Sequence, residues 1–246
     1  MIRAPCDARG ISSGHDWGEV LTGPRAALLV LAKAPVPGEA KTRLCPPITP
    51  AQAARVAAAA FLDTLDAVLA VPDVVPVVAL TGELDRAIDG RALEQRLRGI
   101  TVLPQRGTTL GQRIAASIAD AGAVAGDLPV LQIGMDTPQA DAGLLRYCLD
   151  LLGGNGVDAA LGMAADGGWW VMGVRRAALA DLIADIPTSR PDTGVMTMAA
   201  LTAAGCRVAE LPELRDVDTW EDAAAVARAA SGGRFAAAVT ALDGHR

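Results

Sequence analysis

An uninterrupted apolar segment that runs straight into a basic loop places the tightest constraint on how this chain can fold. Residues 26–32 carry no polar side chain, which is typical of a strand buried on both faces within a parallel sheet. The loop that follows contains Lys33, Lys41 and Arg43. Because open α/β sheets bind their ligands at the carboxyl ends of the strands, the sequence predicts an anion-binding site here.

The basic loop has the residue types that phosphate recognition needs. Lys41 and Arg43 can neutralise phosphate oxygens, and Gly38 permits a close approach of the backbone. The loop has neither the Walker A order nor the dinucleotide fingerprint. A solvated loop with scattered charge is the alternative interpretation.

Composition and charge exclude several classes of protein. The chain has 246 residues, of which 51% are hydrophobic, and a mean hydropathy of +0.31, so it can bury a core of one large or two small domains. No apolar run reaches the ~18 residues that suggest a membrane span. The net charge of −6 and the pI of about 4.9 argue against broad nucleic-acid binding. We therefore expect neither a membrane span nor a nucleic-acid partner.

The cysteines and histidines indicate a reduced protein without a histidine-based mechanism. Cys6, Cys45, Cys148 and Cys206 form no C-x-x-C pair and fit no common zinc spacing. We interpret them as reduced thiols of a cytoplasmic protein. Only two histidines are present, both near the ends of the chain, so a Ser-His-Asp or Cys-His mechanism is not expected.

Strand and helix patterns alternate along the chain. This rhythm predicts an α/β fold, a three-layer Rossmann-like sheet that is mixed but mostly parallel, with helices on both faces. We predict strands over residues 26–32, 74–80, 100–103, 129–133, 157–163, 169–174 and 206–211. We predict helices over residues 49–69, 84–97 (interrupted at Gly90), 109–121, 141–152, 176–184, 194–204 and 220–230. The short interval between the strands at 157–163 and 169–174 indicates an antiparallel excursion.

One domain accounts for most of the length. Residues 25–230 contain the whole alternation and no linker or internal repeat, so we assign them to a single domain. Residues 1–24 lack periodicity and the apolar core of a signal peptide, which predicts a flexible arm. Residues 231–246 are predicted to be a C-terminal tail with a short helix.

Carboxylates follow two of the predicted strands. Asp136 comes just after the strand at 129–133, where it could hold a divalent cation, although Asp-Thr-Pro is also a common turn sequence. Asp216 and Asp218 alternate onto the same side of an extended segment. Thr219 or Asp218 could equally cap the last helix, and capping does not exclude metal binding.

Two glycine-containing segments offer further ligand contacts. In the run from Asp166 to Trp170 the glycines allow a ligand to pass closely, and Asp166 could contact a metal or a substrate hydroxyl. Alternation puts the two tryptophans on opposite faces, so at most one is expected to line a site. Arg106 and Arg113 bracket a glycine pair at a predicted helix start, which favours anion binding. The alternative interpretation of the run from Asp166 to Trp170 is a tight turn with structural tryptophans. The alternative for the segment with Arg106 and Arg113 is an ordinary glycine-rich start of a helix.

Together these segments resemble a known family. The order K-A-P-x-P-G-x-x-K-T-R-L, L-G-x-R, Asp-x-Pro, D-G-G with two aromatics, and L-P-E-L-R-D-V-D-T resembles the DUF2064 group. These are glycosyltransferase-like proteins of the nucleotide-diphospho-sugar transferase (GT-A) fold, and the resemblance covers about residues 26–230. The layout is more distantly similar to molybdopterin-guanine nucleotide transferases, phospholactate guanylyltransferases and CMP-sugar synthetases.

The resemblance implies roles for particular residues. Lys33, Lys41 and Arg43 would hold phosphates, and Asp136 and Asp218 would share Mg²⁺ (or Mn²⁺). Lys41, Arg43 and Asp136 would be the catalytic residues. Substrate contacts are implied at Ala32, Lys33, Gly38, Arg113, Asp166, Gly167, Gly168 and Trp169, with Asp166 on the acceptor side.

The chain departs from the family pattern at one acidic position and at the aromatic pair. The family often has Ser-Asp-Cys-Pro-Asp where this chain has Met-Asp-Thr-Pro-Gln ending at Gln139, and Tyr-Tyr where this chain has Trp169 and Trp170. The first Asp is kept as Asp136. The segment at 188–196, on the acceptor side, also differs from its commoner form.

The function expected from the resemblance is a Mg²⁺-dependent, glycosyltransferase-like transferase. Its partners would be a nucleotide or nucleotide-sugar donor and a small-molecule acceptor. Two alternatives stay open: nucleotidyl transfer from an NTP to a phosphorylated acceptor with release of pyrophosphate, and nucleotide binding without turnover. An NAD-type dehydrogenase is not expected, because the first turn lacks Gly-x-Gly-x-x-Gly.

Overall fold

A computed structural model describes residues 23–230 and 232–244. Nearly all of the predicted N-terminal arm (residues 1–24) lies outside the described residues. The domain has the predicted α/β architecture of a three-layer sandwich, with one sheet between two layers of helices.

Seven strands form one sheet in the order β3-β2-β1-β4-β6-β5-β7. The strands are β1 Ala26–Lys33, β2 Val74–Thr81, β3 Thr101–Pro104, β4 Val130–Gly134, β5 Ala159–Ala164, β6 Trp169–Val174 and β7 Val208–Leu214. The α-helices are α1 Pro50–Leu69, α2 Gly90–Arg96, α3 Leu110–Val124, α4 Ala142–Leu152, α5 Thr193–Ala203, α6 Trp220–Ala229 and α7 Arg234–Asp243. Short 3₁₀ helices cover Thr42–Leu44, Leu84–Arg86 and Ala177–Ile183.

The sheet is parallel except at β6. β1 lies in the middle, paired in parallel with β2 on one side and with β4 on the other. β6 runs antiparallel to both β4 and β5, which confirms the predicted excursion. The central position of β1 explains its apolar sequence, because helices cover both of its faces.

The two faces of the sheet bury separate cores. On one face α1, α2 and α4 pack against alternate residues of β1 and β4 such as Leu28 and Leu131. On the other face α3, α5 and the 3₁₀ helix Ala177–Ile183 pack against Leu29 and Val130. Alternation along each strand therefore decides which helix layer a side chain meets.

Capping residues define where the helices around the site begin. The Thr49 hydroxyl oxygen accepts a hydrogen bond from the Gln52 backbone N–H, and Gln52 Oε1 accepts one from the Thr49 backbone N–H, which completes a capping box at Pro50. Thr219 and Asp222 form the same motif at the start of α6. Thr219 is thus the cap of α6, and the side chain of Asp218 takes no part in that cap.

Several elements differ from their predicted form. The short helix predicted in the C-terminal tail is α7, and its Phe235 and Val239 are buried against α1 and α6. This packing makes the helix part of the domain. β7 continues through Pro212 to Leu214, beyond its predicted end, because it pairs only with β5 and an edge strand tolerates proline. Residues 176–184 form a 3₁₀ helix rather than an α-helix.

No helix within the described ranges is both long and apolar enough to cross a bilayer. Cys45, Cys148 and Cys206 are free thiols, and Cys6 lies outside the described residues. Burial raises the pKa of the Cys148 thiol to about 12, so this cysteine is an inert core residue.

Candidate functional site

A cleft of about 630 Å³ opens at the carboxyl ends of β1 and β4. The chain leaves β1 to form β2 on one side and later returns to form β4 on the other, so this is a topological switch point of the sheet. Ala32 at the end of β1 and Gly134 at the end of β4 both line the cleft. The predicted location of the site is therefore the location of the cleft.

Lys41 lies at the centre of a charged cluster at the cleft. Its Nζ donates to Asp136 Oδ2 at 2.6 Å, to the Val217 carbonyl oxygen at 2.5 Å and to Asp218 Oδ1 at 3.3 Å. The guanidinium of Arg43 donates to Asp218 Oδ2 at 3.1 Å. The structure thus brings together four of the residues predicted to form the site from three distant parts of the chain.

The ammonium of Lys41 is held in its charged form. Burial alone would lower its pKa, but the carboxylates of Asp136 and Asp218 outweigh that effect and raise the pKa above its ordinary value. The Lys41 side chain is 14% exposed, and its backbone has a φ of 48°, in the left-handed region that non-glycine residues rarely adopt. The Val217 backbone N–H donates a hydrogen bond to the Asp136 carbonyl oxygen, which holds the segments that carry Asp136 and Asp218 side by side.

Asp216 adds a further carboxyl group to the cluster. Burial, together with the nearby Asp136, Asp166 and Asp218, raises its pKa to about 8, although Lys41 acts in the opposite direction. Its Oδ1 is buried and has no hydrogen-bond partner. Asp216 lines the same cleft as Asp218, as the predicted alternation requires.

The predicted site residues next to Lys41 differ in position. Ala32 and Lys33, at the end of β1, line the cleft, and Lys33 Nζ donates to the Glu39 carbonyl oxygen at 2.7 Å. Gly38, in the loop, is exposed and is not among the residues that line the cleft, so its substrate contact stays a prediction. Its φ of +79° shows that glycine is needed there to turn the loop.

The segment from Asp166 to Trp170 lies along one wall. Asp166, Gly168 and Trp169 line the cleft, and Asp166 Oδ1 accepts a hydrogen bond from Gly168 N at 2.8 Å. Gly167 does not line it, which corrects the predicted contact. A Cβ at Gly167 would lie 1.9 Å from the Pro191 carbonyl oxygen, so this glycine allows close packing between two loops.

Both tryptophans border the cleft, and they lie on opposite faces of the sheet as alternation predicts. Trp169 packs against the core beneath α3, and Trp170 belongs to the core beneath α1 and α4. Trp170 is 2% exposed and its Nε1 donates to the Pro212 carbonyl oxygen at 2.8 Å, so most of this ring is core.

The two arginines predicted to bracket the start of α3 have different roles. Arg106 forms an ion pair with Asp120 and does not line the cleft. Arg113 lines it, and its Nε donates to the Gly107 carbonyl oxygen at 3.2 Å. Within residues 23–230 and 232–244 no carboxylate pairs with Arg113.

Gln132, Gln105 and Arg190 are among the polar residues of the cleft that the sequence patterns did not single out. Gln132 on β4 is 2% exposed, and its buried Oε1 has no partner among the described residues. Gln105 Nε2 donates to the carbonyl oxygens of Ala32 and Ala79, at 2.8 and 2.9 Å. Arg190 pairs with its neighbour Asp192. A lone amide inside the apolar run at 130–133 was the available signal for Gln132.

The acidic residues present fit a magnesium ion only together with a ligand. Asp136 and Asp218 offer the oxygen donors that Mg²⁺ prefers, and Oδ1 of Asp216 is unpartnered. Among the described residues no group of three His, Cys, Asp or Glu side chains could hold a metal by itself. Gln139, at the position where the family has a second Asp, bonds the Arg215 carbonyl oxygen and does not line the cleft.

The fold is shared with known structures of low sequence identity. A provisionally assigned nucleotide-diphospho-sugar transferase from Desulfovibrio desulfuricans G20 is 24% identical, with a TM-score of 0.77 over 90% of this chain and 96% of its own. A cytidylyltransferase from Leptospira borgpetersenii (strain JB197) is 16% identical, with a TM-score of 0.54 over 90% and 95%.

A 4-diphosphocytidyl-2C-methyl-D-erythritol synthase from Anaerococcus prevotii is 12% identical, with a TM-score of 0.52 over 90% and 97%. No curated protein matches this sequence. Residues 64–190, just over half of the chain, match the model of a family described as an uncharacterized protein conserved in bacteria. These residues show that the chain belongs to the DUF2064 family.

Proposed function

We propose that this protein is a transferase that binds a nucleotide or nucleotide-sugar donor in the cleft and transfers part of it to a small-molecule acceptor. The observation that carries the proposal is the Lys41 ammonium between Asp136 and Asp218 at the carboxyl end of β4. This arrangement places fixed positive charge beside carboxylate oxygens, at the sheet edge where α/β proteins bind nucleotides.

The basic residues would hold the donor phosphates. Arg43 is 65% exposed and uses one guanidinium nitrogen on Asp218, so its other donors are free for phosphate oxygens. Lys41 would exchange a carboxylate partner for a phosphate oxygen when the donor binds. Transfer at phosphate requires mainly positioning and charge neutralisation, and these residues can supply both.

We further propose that Mg²⁺ accompanies the donor, held by Asp136 and Asp218. Bound there with the phosphates, the ion would neutralise the charge of the leaving group. Since the described residues contain no complete metal site, we expect the ion to bind with the donor phosphates rather than before them.

The related folds support a nucleotide-dependent reaction but differ in which bond is broken. The similar structures include a nucleotide-diphospho-sugar transferase, a cytidylyltransferase and a 4-diphosphocytidyl-2C-methyl-D-erythritol synthase. Glycosyl transfer is our first proposal. The basic loop directly after β1, with Lys33, Lys41 and Arg43, favours nucleotidyl transfer as the second candidate.

Product analysis distinguishes these candidates. Purified protein is incubated with Mg²⁺, a panel of acceptors and either labelled NTPs or labelled NDP-sugars. Release of pyrophosphate from an NTP would show nucleotidyl transfer, and release of a nucleoside diphosphate from an NDP-sugar would show glycosyl transfer. Donor binding without product in every combination would instead indicate a binding protein.

A matched pair of variants connects the activity to the cluster. We expect Asp136→Asn to lower product formation by about 10²-fold or more, because the ammonium of Lys41 and the metal both lose a carboxylate. Asp120→Asn removes a carboxylate that pairs with Arg106 outside the cleft, and should leave the rate unchanged. Equal rates for wild type and Asp136→Asn would refute the proposed site.

A further inference from the structure

Gln132 is a polar side chain in an apolar layer. It pairs across the sheet with Leu29 on β1 and Met172 on β6, and alternation puts it on the same face as Val130. Leu29, Val130 and Met172 all belong to the core beneath α3. Gln132 is 2% exposed, and it nevertheless lines the floor of the cleft.

The amide of Gln132 lacks the partner that burial normally requires. Its Oε1 is buried and accepts no hydrogen bond from residues 23–230 or 232–244. Buried polar groups are almost always paired, because an unpaired acceptor loses its bonds to water without replacement. An apolar residue at this position would complete the surrounding core, so the amide indicates a ligand that donates a hydrogen bond to it.

Arg113 supplies a second unfulfilled group in the same part of the cleft. It lies on α3, the helix that covers the face of the sheet on which Gln132 lies, and the adjacent Ile114 also lines the cleft. Arg113 is half-buried and donates to the Gly107 carbonyl oxygen, with no ion pair in the described part of the chain. A guanidinium in this position suits a phosphate or carboxylate.

The polar groups at Lys41 and those at Gln132 would serve different molecules. In the proposed reaction the donor phosphates lie against Lys33, Lys41 and Arg43, and a nucleobase carries no negative charge. An anionic group on Arg113 therefore belongs to the second substrate. Trp169, half-buried on the neighbouring wall, provides an apolar surface for its carbon skeleton.

We propose that Gln132 and Arg113 form an acceptor subsite for a small hydroxylated organic anion. A hydroxyl of this molecule donates to Gln132 Oε1, and its phosphate or carboxylate pairs with Arg113. The identity of the acceptor as a reactant rests on the proposed transferase function. The subsite itself can be tested without any donor.

The test measures binding of defined probes by calorimetry. Glycerol 3-phosphate and glycerate each carry a hydroxyl with an anionic group, whereas inorganic phosphate and glycerol each carry only one of the two features. We expect at least one of the hydroxylated anions to bind wild-type protein at least tenfold more tightly than phosphate or glycerol. Which of the two binds distinguishes a phosphate from a carboxylate. Absence of binding by both would overturn the proposal.

Two variants assign the binding to these residues. Gln132→Met keeps the side-chain volume and removes the unpaired oxygen, so we expect at least tenfold weaker binding with a melting temperature equal to or above that of wild type. Arg113→Gln should weaken binding similarly, with Arg106→Gln as the matched control outside the cleft. If Gln132→Met lowers the melting temperature and leaves the affinity unchanged, the amide is structural and the proposal fails.

The donor experiment separates this proposal from the transferase function. Thermal shifts with NTPs and NDP-sugars are measured on the same variants, and we expect Gln132→Met to keep the donor shift of wild type. Anion binding at Gln132 and Arg113 without donor binding would leave the subsite standing and refute the transferase. Donor turnover with an acceptor KM that is unchanged in both variants would support the transferase function and refute the acceptor subsite.

Discussion

Two regions of the cleft handle their polar groups in opposite ways. At the Lys41 cluster the ammonium contacts three oxygen atoms, and Asp218 contacts both Lys41 and Arg43. At the floor, Gln132 Oε1 has no partner among the described residues, and none of their carboxylates pairs with Arg113. The first region is organised by its own counter-ions, whereas the second leaves polar groups unpaired within the described part of the chain.

Lys41→Met should have the largest effect on stability. The substitution leaves Asp136 and Asp218 without their half-buried cation, and loss of one partner of such a cluster costs about 3 kcal/mol of unfolding free energy. Urea denaturation at pH 7.5 measures this. An unchanged unfolding free energy would show that solvent screens the cluster fully.

Magnesium should partly replace the missing ammonium in this variant. With Lys41 gone, the oxygens of Asp136 and Asp218 are free for a cation, so we expect millimolar Mg²⁺ to raise the melting temperature of Lys41→Met more than that of wild type. Equal shifts for the two proteins would argue against metal binding by these carboxylates.

Asp216→Asn should change how stability depends on pH. The folded-state pKa of Asp216, about 8, lies above its unfolded value, so the folded protein binds the extra proton and loses stability as the pH rises from about 4 to 8. We expect the variant to lose part of this slope and to be more stable than wild type at pH 9 by more than about 1 kcal/mol. Asp192→Asn, at an exposed ion pair with Arg190, is the control. Parallel pH profiles for Asp216→Asn and wild type would contradict the raised pKa.

Gln132→Met should act in the direction opposite to Lys41→Met. Removing the unpaired amide is expected to raise the unfolding free energy by up to about 1 kcal/mol. The same replacement residue would then lower stability where polar groups are paired and raise it where they are not. If both variants change the unfolding free energy in the same direction, the contrast between the Lys41 cluster and the floor of the cleft at Gln132 does not hold.

Arg43→Gln should have the smallest effect on stability. The side chain is 65% exposed, so its pair with Asp218 contributes less than about 0.5 kcal/mol. Its donor binding should nevertheless fall, and the remaining affinity should depend less on salt than in wild type. Calorimetry at two ionic strengths measures this. Unchanged affinity would exclude Arg43 from phosphate binding.

Most of the fold could be predicted because local patterns determine it. The apolar run at 26–32 is a central strand, Thr49 and Pro50 begin α1, and the short interval after residue 163 produces the antiparallel β6. Long-range packing decides what local patterns leave open. The short helix predicted in the tail is confirmed as α7, but only the packing of Phe235 with α1, which lies far away in sequence, makes that helix part of the domain.

The candidate site likewise has features that the sequence predicts and features that only packing decides. The positions of Lys41, Asp136 and Asp218 after strands predict that they meet at one sheet edge, since parallel strands end together. The position of Lys41 between the two carboxylates depends on two backbone features. These are the left-handed conformation of Lys41 and the hydrogen bond that Val217 N donates to the Asp136 carbonyl oxygen. The contact of Gly167 with Pro191 and the free amide of Gln132 likewise arise from neighbours that no local pattern reveals.

The sequence by itself therefore determined the alternation of strands and helices, the edge of the sheet that carries the charged residues, and the basic residues of the loop at that edge. These properties follow from hydrophobic periodicity and from residue types within a few positions of each other. Only the tertiary structure decided which charges neutralise one another and which polar groups stay unpaired. Pairing depends on distances of a few ångströms between residues up to 177 positions apart, and packing of the whole domain sets those distances.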